Sequence, residues 1–460
     1  MPARVQRLFA AWLCTGFLFG AAACKRSPKP APAPEKRATA PASSREKQPA
    51  RCRKLPGFEL RLKGSATQAA AKPSIAEHEP SDEPADDASA AEPANDGAAA
   101  LPFGIDIGGA SATGSGFALA GLRGDAAFVA RLSASGSQVV ELGRVHGDPE
   151  APVVATAGER VLVVLPNSDA AGRTLRIGEL SPASASVSFG PDLTGLGRAA
   201  ASVGLAISGE RALLVLARED EDGSRVLSAA LSLGDLRAPL ALSPLSNESA
   251  EMPRVVAREG GFWVAWVRNI DVAAPPAAPP KPGADVDGHQ PFVFGPRVLE
   301  VARLDLEGKL VGTPRRLGEP RPHALLYDIA PLASGGLTVA TRTDAAAPGA
   351  ESGAISLWEL GADGSQSERR LDDDDIGAGA PALLHEARRA PNAPQSWLAV
   401  SSRSGATRLG SLEGERTTLR GEPALGSGEV LAVSEGKLLI QHARGRGTEL
   451  SVLDCGGAGK

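Results

Sequence analysis

Seven short runs of β-forming, apolar residues recur along this chain, and no other feature constrains its fold as strongly. They are Phe117–Gly121, Val161–Leu165, Ala212–Leu216, Phe262–Val267, Leu337–Thr341, Trp397–Ser401 and Lys437–Gln441. Their starts span 320 residues in six steps, a mean period of about 53. A fixed period of this order marks a supersecondary unit that cannot bury its apolar surface alone and stacks on its neighbours instead. The flanks repeat as well. An extended segment precedes each run across a short turn, as in Val153–Ala155 before Gly158-Glu159 and Leu205–Ile207 before Gly209-Glu210. Glycine there supplies the positive φ that a tight hairpin demands. A third segment follows, ending in turn at Leu132, Leu180, Leu231, Leu304, Leu360, Leu412 and Leu453. A fourth, weaker one completes six of the seven repeats, for example Val139–Leu142, Arg315–Leu317 and Thr417–Leu419.

Helical periodicity is nearly absent and turn residues recur at strand spacing, which predicts an all-β fold. A pair of β-sandwiches or an irregular β-solenoid would use similar strands. A closed ring of repeats accounts better for some 360 residues, 101–460, with no internal boundary. The unit of strand, tight turn, strand, loop, strand, turn, strand resembles a β-propeller blade. That resemblance is one of pattern over about three quarters of the chain, without a Trp-Asp repeat or a kelch double glycine. It implies a seven-bladed β-propeller of four-stranded blades.

The seventh repeat stops after Glu449–Leu453, with Cys455 and a glycine-rich end in place of a fourth strand. A blade without its outer strand leaves a bare edge, a liability that proteins avoid. The segment 52–64 can supply the missing strand, since Phe58–Leu62 alternates apolar and charged residues. Cys52 lies just before it and Cys455 just after the seventh third strand. These two are the cysteines left once Cys14 and Cys24 are assigned to the export region, and an even pair in an oxidising compartment is a disulfide candidate. The expectation is a ring closed by the N-terminal strand and locked by Cys52–Cys455.

The first residues read as a targeting segment. Arg4 and Arg7 precede an uncharged stretch, Leu8–Ala23, too short to be a comfortable membrane span. It ends Ala21-Ala22-Ala23-Cys24, which resembles the bacterial lipobox, although a leucine usually stands where Ala21 does. The resemblance implies a lipoprotein signal peptide at 1–23 and lipid on Cys24; an ordinary signal peptide cut after Ala23 is the other reading. Residues 24–51 form a basic Pro/Ala-rich tether expected to be disordered, and 65–100 an acidic low-complexity loop. The chain is therefore expected to be exported and lipid-anchored to the outer membrane or cell envelope, facing the periplasm or the surface.

The sequence predicts no cofactor. Histidine is sparse, no Cys-x-x-Cys or zinc-helix spacing occurs, and the acidic stretches Glu219–Gly223, Asp285–His289 and Asp372–Asp375 lack the ligand pattern of a calcium loop. Few aromatics and a net charge of −5 argue against nucleic acid as a partner. The face formed by inter-blade connections and by the loops between second and third strands is the expected binding face, offering Arg144, His146, Asp148, Glu319, Arg321 and His323. Two functions fit. One is a non-catalytic binding or scaffolding propeller whose partner is an envelope protein or a saccharide. The other is an extracytoplasmic hydrolase or lyase acting on saccharides at the channel mouth.

Overall fold

The computed structural model describes residues 52–56, 60–63 and 105–455, apart from 147–149, 170–171, 183, 185, 197–201, 221–222, 247–248, 271–295, 322–325, 345–352, 378, 387–395, 414–416 and 445–446. The export segment, Cys24, the tether and the acidic loop 65–100 lie outside the described residues.

Seven antiparallel sheets form a ring, six of four strands and a seventh whose fourth position is shared by two short N-terminal pieces. Their inner strands are Ile105–Ala112, Val153–Ala157, Val203–Ser208, Ala250–Arg258, Tyr327–Pro331, Ala382–His385 and Glu429–Ser434, for blades 1 to 7 in turn. Each touches the inner strand of the next blade, and that of blade 7 touches that of blade 1. The chain is thus a closed seven-bladed β-propeller.

The continuous apolar runs are the second strands. A half-buried strand alternates, whereas one covered on both faces does not. Here every blade has a neighbour on each side, so Phe117–Ala120, Val161–Val164 and Ala212–Leu216 have almost no exposure. One apolar core fills each gap between neighbouring blades. Between blades 7 and 1 it gathers Phe117, Leu119 and Phe128 against Leu439, Leu450 and Val452. Between blades 3 and 4 it centres on Phe262 and Trp266. At roughly 1.5–3 kcal/mol for each buried large aliphatic or Phe side chain, these gaps hold the ring together.

The hairpin turns leading from inner to second strand follow the expected chemistry. In blade 7 both turn residues, Glu435 and Gly436, have positive φ (52° and 74°), the requirement of a type I′ turn. Several hairpins between second and third strands are long and their loops small, because strands such as Arg160–Asp169 and Gly172–Leu180 run on past the apolar core. In blade 6 the outer strand is Arg420–Gly421, just after the predicted Thr417–Leu419; Leu419 is buried, and pairing with the third strand begins beyond it.

The ring closes as the sequence predicts. Leu60–Lys63 pairs with the third strand of blade 7, Gly447–Asp454, with Leu60 opposite Leu450. A further piece, Arg53–Lys54, pairs with Asp454 and Leu453, and the Leu55 N–H donates to the Val452 carbonyl at 2.8 Å. Of the predicted strand, Phe58 and Glu59 lie outside the described residues. Cys52 and Cys455 form a disulfide across 403 residues of sequence.

Candidate functional site

Inner strands converge on the ring axis, so their residues must be small where they approach one another. A Cβ on Gly108 would stand 2.4 Å from the Pro152 carbonyl oxygen, which is why blade 1 carries a glycine there. Among the described residues, two cavities at the axis share Leu205, Val255, Val256 and Ile329 as wall.

The larger, about 850 Å³, opens on the face of the inner hairpin turns and is lined by all seven blades. Its wall is mostly alanine, aliphatic and hydroxyl groups. The hydroxyls tie blades together. Ser111 Oγ lies 2.7 Å from Thr156 Oγ1, Thr156 donates to the Ala112 carbonyl, and Ser208 donates to the Arg258 carbonyl at 2.8 Å. In blade 6 the buried Glu386 accepts the Gly436 N–H at 2.5 Å. His385 sits on the same wall with Nδ1 3.3 Å from Ser396 Oγ, and burial pushes its pKa down, so it is neutral near pH 7. Arg258 and Glu259 supply opposite charges at the rim.

The smaller cavity, about 580 Å³, lies at the start of the inner strands in blades 1 to 5. Asp106, Glu150, Arg254 and Asp328 line it. Asp328 links three blades: Oδ1 is 3.3 Å from Arg254 of blade 4, and Oδ2 accepts the Leu383 N–H of blade 6 at 2.8 Å. Burial raises the Asp328 pKa, with Arg254 and the backbone donors opposing that rise. Beneath it the buried Tyr327 hydroxyl meets the carbonyls of Met252 and Ala265, and burial pushes the phenol far above its ordinary range. Met252 and Ser202, both on this wall, hold positive φ (54° and 61°). Glu150 pairs with the buried Arg173.

Of the six predicted face residues, Arg144, His146, Glu319 and Arg321 are described, and none of these four lines either axial cavity. Arg144 and Glu319 are exposed on the outer strands of blades 1 and 4, and neither lines an axial cavity. Arg144 pairs with Asp125 at 3.1 Å. His146 is exposed and its N–H donates to Asn167 Oδ1 at 2.9 Å. Arg321 is opposite Arg297 on the outer strand of blade 4. Asp148 and His323 lie outside the described residues. What the sequence reading missed is the axial set, although it had a signal: in Ile105-Asp106-Ile107 and Tyr327-Asp328-Ile329 an aspartate stands between apolar residues near the start of an inner strand.

Among the described residues no group of three or more His, Cys, Asp or Glu is placed to hold a metal ion. The acidic stretch Asp372–Asp375 is tied down instead, with Asp373 and Asp375 at 2.8 and 3.5 Å from Arg408.

No protein-family model and no curated protein matches the sequence. Solved structures do. The polysaccharide lyase Uly1 is 13% identical, with a TM-score of 0.49 over 88% of this chain and 100% of that one. An α-L-arabinanase of Penicillium chrysogenum is 14% identical, with a TM-score of 0.38 over 65% and 91%. The propeller domain of the Trilobed protease from Pyrococcus furiosus is 11% identical, with a TM-score of 0.37 over 63% and 76%. At such identities none of these likenesses bears on activity.

Proposed function

We propose that this chain is an exported, lipid-anchored propeller of the bacterial envelope that binds its ligand in the axial channel. One observation carries the binding reading: all seven inner strands contribute to a single open cavity of about 850 Å³ whose largely apolar wall is interrupted by hydroxyls and carries few charges. Among the described residues each inner strand is paired with a strand on one side, so its other backbone edge adds donors and acceptors to that wall. Such a wall suits an uncharged, hydroxyl- or amide-rich ligand, a saccharide strand or an extended segment of an envelope protein.

The test is capture from envelope fractions and a glycan panel, comparing the wild-type chain with Ser334→Trp, a bulky group on an exposed turn of the cavity mouth. Binding lost in this variant, with folding intact, is the expected result. Equal binding by both proteins would move the site off the axis. The anchor has its own test: Cys24→Ser should lose the lipid and the membrane association, and retention of both would sink it.

A second reading, a hydrolase or lyase acting on saccharides, rests on the smaller cavity. There a carboxyl with raised pKa, Asp328, stands beside Arg254 and shares the wall with Asp106 and Glu150. Paired carboxyl groups are what acid–base chemistry on glycosides requires. Under this reading Asp328→Asn abolishes turnover of a bound oligosaccharide while leaving its affinity; under the binding reading there is no turnover to abolish.

A further inference from the structure

A ring of separate sheets exposes one outer edge per blade, and each such edge is a template for another strand. Six of the seven are guarded. The outer strands of blades 2 and 4, Val187–Leu193 and Arg315–Arg321, each contain a proline and a break in register. Those of blades 3 and 6 are two residues long. That of blade 5, Gln366–Leu371, carries Glu368, Arg369 and Arg370 in succession. Blade 7 ends in the two short N-terminal pieces beside the disulfide.

Blade 1 differs. Its outer strand, Gly136–Arg144, is nine residues long and contains no proline. It pairs without interruption from Gly136 to Glu141, and its one register shift comes after that. Among the described residues no other strand reaches its outer side. Only two charges lie on its nine residues, against three in six on blade 5, and both are paired: Glu141 with Arg123 at 2.6 Å and Arg144 with Asp125 at 3.1 Å. Val139, at its centre, is 40% exposed, one of three large apolar side chains so exposed among the described residues.

We propose that this edge pairs with the same edge of a second copy of the chain, antiparallel about a two-fold axis at Val139. The strand is self-complementary in that register. Its solvent-facing row is Ser137, Val139 and Glu141. The two-fold sets Val139 against Val139 of the second copy and each Ser137 hydroxyl against a Glu141 carboxylate, with no like charges opposed. One strand pair is smaller than the roughly 1,200–2,000 Å² of a stable interface, so the contact is weak in solution. It gains from confinement of copies to one membrane surface, which rests on the anchor proposed above.

The experiment is oxidative cross-linking of the full mature chain, lipidated in vesicles and as unlipidated Cys24→Ser in solution. Directly opposed residues of an antiparallel pair have Cβ atoms about 4.5–5.5 Å apart, so Val139→Cys should form a disulfide-linked dimer faster than Ser367→Cys on the guarded edge of blade 5. Adding Ser137→Glu opposes like charges twice and should slow that reaction by roughly two- to tenfold, while Ser137→Lys should speed it. Val139→Cys reacting no faster than Ser367→Cys in both settings would overturn the proposal. So would charge variants that move the rate in the same direction, or an introduced thiol that links to a different protein. Dimerisation in solution but not in vesicles would fault the anchor's contribution and leave the strand pairing standing.

Discussion

Removal of the Cys52–Cys455 disulfide, as the double variant Cys52→Ser/Cys455→Ser, tests how the ring is held shut. The bond spans 403 residues of sequence, and the chain-entropy model gives a ceiling of about 6 kcal/mol for a loop of that length. Native disulfides more often contribute ~2–5 kcal/mol, which is the expected loss here. Both cysteines are half-buried, so the serines themselves cost little. Without the bond, the closing strand keeps six paired residues, the Leu55 backbone bond, and the ion pairs Lys54–Glu449 at 2.8 Å and Arg53–Asp454 at 3.7 Å. Exposed ion pairs are worth under about 1 kcal/mol, while ordering each residue costs roughly 1–2 kcal/mol. The closing strand should therefore detach in the variant before the ring unfolds. Urea denaturation should show the loss of stability, and hydrogen exchange should show lost protection at Gly447–Asp454 with the other blades unchanged. Unaltered denaturation together with unaltered protection of that strand would refute this account of the closure.

Three further perturbations read the interior. Asp328 has a raised pKa, so the folded chain holds its proton more tightly than the unfolded one, and stability from this group falls as pH rises from the ordinary carboxylate range through the folded value. Asp328→Asn should abolish that dependence, so urea midpoints of the two proteins should diverge with rising pH; parallel curves would contradict the burial of this carboxyl. Trp266 is fully buried and donates to Glu300 at 3.1 Å, and Glu300 also pairs with Arg268 at 3.0 Å. Trp266→Ala should cost about 3–5 kcal/mol by calorimetry, and a loss under about 1 kcal/mol would mean this gap is not close-packed. Gly108→Ala would force a methyl against the Pro152 carbonyl and should lower the melting temperature, whereas Gly421→Ala, with open space around it, should not.

The fold was legible because each blade is buried on both faces. That burial writes a continuous apolar run such as Ala212–Leu216 into the sequence once per repeat, and in every blade but the sixth the turn between inner and second strands leaves a glycine beside it. The closure was legible for a related reason: a repeat that lacks its last strand is conspicuous among six that have one. Outer strands were harder, since Arg420–Gly421 carries almost no pattern of its own. The axial site was hidden for a geometric reason. Arg254, Asp328 and the Leu383 N–H stand on three successive blades, 74 and 55 residues apart, and meet because their inner strands converge. Charged residues near blade boundaries, such as Arg144 and Glu319, look equally eligible in a linear reading, yet those two sit on outer strands. The period fixes which strand a residue occupies, and the strand's place in its blade fixes its distance from the axis. A residue at the second position of an inner strand, as Asp106 and Asp328 are, is therefore the better candidate for chemistry than a polar residue in a long connection.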